Sequence, residues 1–184
     1  MGTHKSLVGG MPRRLIRSIS IAPQLRPRKE KKPMIQPADV HELVSHWWFA
    51  YDNAIYDEWA GMFTDDAHFT CRTDTGKTNY EEFVNADVHG KAAVLAWQTE
   101  HRKGSPHPLR HGGENVHISA NRGDDADFRS YIRVSQIISG SPSDLSTALV
   151  TGTVRLEGGV LRFSALHTVL DTEQSGVIGE RKVF

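Results

Sequence analysis

Apolar residues recur at Val40, Leu43, Val44, Trp47, Trp48, Tyr51 and Ile55. This i, i+3, i+4, i+7 spacing lays one stripe along an amphipathic helix that faces a core. Pro37 stands where a first-turn proline belongs, and Asp39 and Glu42 lie near the positive end of the helix dipole, so the helix is predicted from Pro37 to Asn53. A short second helix from Tyr56 to Phe63 and a turn at Thr64-Asp65-Asp66 follow. The next residues alternate, with Ala67, Phe69 and Cys71 on one face and His68, Thr70 and Arg72 on the other, which predicts a strand ended by Asp74-Thr75-Gly76. Thr78 with Glu81 has capping-box spacing and predicts a helix through Val88. His89-Gly90 interrupts it, Lys91 to Arg102 holds further helical turns, and Gly104-Ser105-Pro106-His107-Pro108 reads as a loop.

From Leu109 the character changes to strands separated by turn clusters at Asn121 to Asp125, Gly140 to Asp144 and Gly158-Gly159. Four hairpin-connected antiparallel strands are the natural reading. The order predicts an α+β fold with helices on one face of a curved sheet, and an apolar pocket between sheet and long helix. Strand parity assigns inward faces. Phe128, Ser130, Ile132, Val134, Gln136 and Ile138 share one, and Leu161, Phe163, Ala165, His167 and Val169 share another. Gln136 is then an inward amide, and His167 is the odd polar member of its face. Substrate contacts are therefore expected from Gln136, His167, Trp47, Phe128, Ile132 and Phe163, with plain core as the alternative role for Trp47.

Composition narrows the class. The chain has 184 residues, 38% hydrophobic and 24% charged, which suits one globular domain with a real core. The net charge of zero hides a basic segment. Residues 1–36 carry nine Lys or Arg against Glu30 alone, a net of +8, which leaves −8 for the rest. That segment holds Gly9-Gly10, Pro12, Pro23, Pro27 and Pro33 without an apolar period, and is expected to be a flexible extension preceding a domain over 37–184. Its Arg-rich, Ser-bearing start has the composition of an organelle transit peptide, and Met11 or Met34 are alternative starts; the expected location is cytoplasmic. The acidic body is a poor nucleic-acid binder, and no apolar run is long enough to span a membrane.

Known catalytic motifs are absent. The single Cys71 forms no internal disulfide, His41 and His46 are five apart, and HExxH, CxxC, glycine-rich phosphate loops and GxSxG are all missing. No metal or cofactor is expected. Asp52, at the edge of the aromatic stripe, is either a solvated boundary residue or a buried acid/base group. His111, just after Pro108-Leu109-Arg110, opens a strand at a sheet edge, where residues commonly reach a pocket mouth.

With Tyr51-Asp52, Tyr56-Asp57-Glu58-Trp59, Phe63-Thr64-Asp65-Asp66-Ala67 and Arg110-His111 in view, residues 37 to 171 resemble the SnoaL-like branch of the nuclear transport factor 2-like superfamily. The resemblance implies a cone-shaped, curved antiparallel sheet wrapped around a long N-terminal helix, a cystatin-like roll. Two groups in it imply different functions. Scytalone dehydratase and its relatives are similar in the Tyr51-Asp52 pair, in His111 and in the 22-residue spacing from it to Arg133-Val134. That group's pocket tyrosine falls at Cys71 and its second histidine at Gln136. The β subunit of aromatic-ring-hydroxylating dioxygenases is similar over Tyr56 to Trp59, Phe63 to Phe69, Glu114-Asn115-Val116, and Val169-Leu170-Asp171 through Val183-Phe184.

The first likeness implies a cofactor-independent lyase or isomerase, dehydratase-like, acting on a small apolar or aromatic carbonyl or hydroxy substrate. Proton abstraction beside a carbonyl needs a base, a group to orient it, and a donor for the developing oxyanion. His111 would be the base, Asp52 its orienting carboxylate, and Tyr51 a donor with the Gln136 amide. Tyr51 and Asp52 diverge by about 100 degrees on a helix and must reach the pocket from two sides. The second likeness implies a non-catalytic subunit or binding module assembling with an iron-bearing dioxygenase α subunit. A homodimer or homotrimer is expected under the first.

Overall fold

The computed structural model describes residues 1–2 and 34–176. Residues 3–33 of the expected basic extension and the final Val183-Phe184 lie outside the described residues, whereas Ile35, near the end of that extension, is buried in the core. Four helices and six strands follow in order: α1 (Pro37–Asp52), α2 (Tyr56–Ala60), β1 (Phe63–Thr73), α3 (Glu81–Val84), β2 (Ala86–His89), α4 (Lys91–Gly104), β3 (Leu109–Asn121), β4 (Asp125–Ile138), β5 (Ser141–Glu157) and β6 (Val160–Leu170). The sheet order is β2-β1-β6-β5-β4-β3. All neighbours are antiparallel except β1 and β6, which run parallel.

Helix α1 buries Val40, Val44, Trp47, Trp48, Tyr51 and Asp52. It lies across β3, and the contact is close because β3 carries Gly113. A Cβ there would meet Trp48 Cδ1 at 3.0 Å and Val44 Cγ1 at 3.3 Å. The β5–β6 turn is a tight hairpin with Gly158 and Gly159 at φ of 59° and 83°, values that suit glycine.

Three expectations change. Thr64-Asp65-Asp66 belongs to β1, because pairing with β6 already begins at Phe63. The capping box does not start a long helix: Glu81 instead accepts hydrogen bonds from the Thr73 N–H at 3.0 Å and from the Thr73 hydroxyl, which pins α3 to the end of β1. Freed from that helix, Ala86-Asp87-Val88-His89 pairs with β1 as an edge strand. The third change concerns parity in β6. Thr153 pairs with Ala165 but Val154 with Phe163, so Ser164 is an extra residue and the alternation flips beyond it. Thr168 and Leu170 then face the cavity. His167 faces the outside of the sheet.

Candidate active site

The concave face of the sheet encloses two kinds of interior. Toward the β5–β6 hairpin, Phe63, Phe128 and Phe163 are 0–1% exposed and pack ring against ring, with Trp47 meeting Phe163 edge-on at 5.7 Å. Toward the start of β3 the interior opens into a cavity of about 330 Å³. Its walls come from α1 (Trp47, Trp48, Tyr51), β1 (Phe69, Cys71), α4 (Trp97, Gln98, His101), β3 (Leu109, His111) and β4 (Ile132, Val134).

Helix α1 ends at this cavity. Asn53 caps it, and Ala54 turns the chain away with φ of 55°. Arg102, 4% exposed on α4, donates from Nε to the Tyr51 carbonyl at 3.0 Å and from Nη2 to the Asp52 carbonyl at 2.8 Å. A buried cation on the last carbonyls complements the negative end of the helix dipole and fixes where Tyr51 and Asp52 stand.

Asp52 and His111 form a buried polar pair held by two contacts. Strand β3 is a sheet edge, so the His111 N–H is available to donate to Asp52 Oδ2 at 2.7 Å. The other carboxylate oxygen lies 2.6 Å from His111 Nδ1. Side-chain exposures of 9% and 5% put the pair out of bulk water. The imidazole stacks on Trp48 at 4.3 Å and 4°, and the Tyr51 ring stands edge-on to it at 5.3 Å. With Nδ1 held by the carboxylate, Nε2 is the nitrogen left to meet a ligand.

A second pair faces the same space. Tyr51 Oη lies 2.5 Å from His101 Nδ1. Burial, reinforced by the charges of His111 and Arg102, lowers the His101 pKa to about 4, so the ring is neutral near pH 7. Burial raises the Tyr51 pKa, which keeps the phenol protonated. If Nδ1 accepts, the ring N–H sits on Nε2, a buried atom with no partner among the described residues. If Nδ1–H donates, the phenolic proton is free for a ligand. Trp47 Nε1 donates to Gln98 Oε1 at 3.4 Å, and the buried Gln98 Nε2 has no partner among the described residues. Burial pushes the Cys71 thiol up to about 12, so it is a wall atom and not a nucleophile.

The expected site residues therefore divide. Asp52, His111 and Tyr51 come together; Trp47 and Ile132 line the cavity. Phe128 and Phe163 belong to the filled half of the interior. Gln136 lies beyond Val134, half-buried and outside the cavity lining, and the amide that lines the cavity is Gln98. His167 is turned outward by the bulge at Ser164 and bonds Thr70 Oγ1 at 2.9 Å. His101 and Gln98 were not anticipated, although Val94, Trp97, Gln98, His101 and Arg102 carry the helical spacing of a core-facing stripe.

A family model for the SnoaL-like domain matches residues 35–167. The chain belongs to the SnoaL-like domain family. Solved structures agree on the fold. A nuclear transport factor 2-like protein with a cystatin-like fold from Novosphingobium aromaticivorans is similar, with 18% identity, coverage of 76% of this chain and 83% of that one, and a TM-score of 0.61. A candidate scytalone dehydratase from the same organism has 15% identity, 73% and 83% coverage, and a TM-score of 0.59. The β subunit of the benzoate 1,2-dioxygenase from Burkholderia mallei has 15% identity, 74% and 91% coverage, and a TM-score of 0.57. No curated protein sequence matches the chain. Among the described residues, no helix is long and apolar enough to cross a membrane.

Proposed function

We propose that this SnoaL-like chain is a cofactor-independent lyase or isomerase that abstracts a proton beside a carbonyl in a small aromatic substrate. The observation that carries the reading is the Asp52–His111 pair at the wall of an apolar cavity, with one histidine nitrogen held at 2.6 Å and the other left for a ligand. His111 Nε2 takes the substrate proton. Asp52 fixes the imidazole tautomer and stabilises the imidazolium that results. The enolate oxygen that develops is met by the Tyr51 hydroxyl, with the unpartnered Gln98 amide as a further donor. His111 then returns its proton, either to a hydroxyl leaving as water or to a distal carbon, giving dehydration or double-bond migration.

The experiment is turnover of a panel of bicyclic aromatic hydroxy-ketones, followed by the absorbance of the enone formed. Wild type should convert at least one member, with Asp52→Asn and His111→Ala slower by about 100-fold or more. Equal turnover by all three proteins would reject the mechanism.

The similarity to a dioxygenase β subunit supports a second reading, a non-catalytic subunit beside an iron-bearing α subunit. It predicts copurification with a larger iron protein. A stable homo-oligomer without such a partner, turning over one of the ketones, would reject it.

A further inference from the structure

On the outer face of the sheet, β1 and β2 bring together groups that are distant in sequence. His68 and His89 are directly opposed across the antiparallel pair. The Gly90 N–H donates to the Ala67 carbonyl at 2.7 Å, which makes His68 and His89 a non-hydrogen-bonded pair, the kind whose side chains approach most closely. Their rings stack at 3.9 Å and 9°. Asp87, two residues before His89 and therefore on the same face, places Oδ1 at 2.8 Å from His68 Nε2 and 3.5 Å from His89 Nε2. His167, turned outward by the bulge in β6, stands edge-on to His68 at 5.2 Å and supports that ring from the side.

We propose that His68, Asp87 and His89 form a surface site for a late first-row divalent metal such as Zn²⁺ or Ni²⁺. The three donor atoms lie within 4.8 Å of one another. Two imidazole nitrogens at about 2.1 Å from a tetrahedral ion are about 3.4 Å apart, which falls within the spread of these donor atoms. Two imidazoles and a carboxylate suit zinc, nickel or copper, and leave a coordination position for water. The metal replaces the proton that now joins His68 to Asp87. It ties the four-residue edge strand β2 to β1, whose opposite face carries Phe69 and Cys71 of the cavity wall. Spacing along the chain shows none of this, because the donors meet only through strand pairing.

Isothermal titration of the full chain with Zn²⁺, and separately with Ni²⁺, tests the site, with thermal unfolding as a second readout. Wild type should bind one ion per chain saturably and unfold at a higher temperature when it is present. His68→Ala and His89→Ala should each weaken binding by about tenfold or more and abolish the thermal shift, while His46→Ala, at a separate histidine–carboxylate pair, should match wild type. His89 is exposed, so its removal leaves the fold intact. Unchanged affinity in the His68 and His89 variants, or no saturable binding at about 1 mM ion, would overturn the proposal.

Discussion

The two halves of the sheet's interior are built from similar residues and end in different states. In the half holding Phe63, Phe128 and Phe163 the rings fill the space, and the fit is close enough that a Cβ on Gly152 would come within 2.6 Å of Phe128 Cε1. In the half holding His111, Tyr51 and His101 the aromatic walls stand apart, and buried polar atoms of Trp48, Gln98 and His101 lack partners among the described residues. Unpaired buried donors cost stability, and the filled half supplies packing that offsets that cost. Dense packing and open cavity are separated along the same curved sheet.

Mutations can break that contrast. The largest effect belongs to Phe163→Ala, which should lose about 3–5 kcal/mol in urea unfolding, against less than about 1 kcal/mol for the half-exposed Phe83→Ala at the cavity wall. Comparable losses would mean that the two halves are equally packed. Next comes pH. His101 takes a proton near 6.5 in the unfolded chain but only near 4 when folded, so the unfolded state binds more protons between these values. The stability due to its burial is fully present above pH 6.5 and declines as the pH falls toward 4, by about 3 kcal/mol in all. Urea titrations at several pH values should show a shallower decline in His101→Asn; identical slopes would place His101 in water.

Smaller effects sharpen the contrast. Gly152→Ala should cost about 1–3 kcal/mol because Phe128 and the Ala165 carbonyl cannot both yield. Gln98→Leu removes a buried NH₂ group that has no partner among the described residues, but also the acceptor of the long 3.4 Å bond from Trp47 Nε1, so the two effects offset and its unfolding free energy should stay within about 1 kcal/mol of wild type. A large loss there would mean that the amide is satisfied in solution and is not held in reserve for a ligand.

Much of the scaffold was legible from residue spacing, because apolar periodicity survives wherever one face of an element is buried. The Val40 to Tyr51 stripe gave α1, and the turn clusters gave the hairpins of β3 to β6. Asp52 and His111 were identifiable through family likeness, but their hydrogen bonds depend on an edge-strand N–H that no local pattern reveals. Parity failed at His167 because one bulged residue, Ser164, reverses every later side chain in β6. It failed differently at Ala86 to His89, where a capping-box spacing outweighed a four-residue alternation whose strand exists only by pairing with β1. The remaining gap, His101, sat on a readable helical stripe; its place in the cavity wall is fixed by the 2.5 Å contact with Tyr51, 50 residues away in sequence.

Abstraction of a proton by His111 is the central claim, and it can be tested without knowing the physiological substrate. Incubated with 2-tetralone in D₂O and followed by proton NMR, the wild-type chain should accelerate exchange of the protons beside the carbonyl, and Asp52→Asn and His111→Ala should fall to the buffer rate. Wild-type exchange no faster than buffer, or exchange that survives both substitutions, would contradict the account.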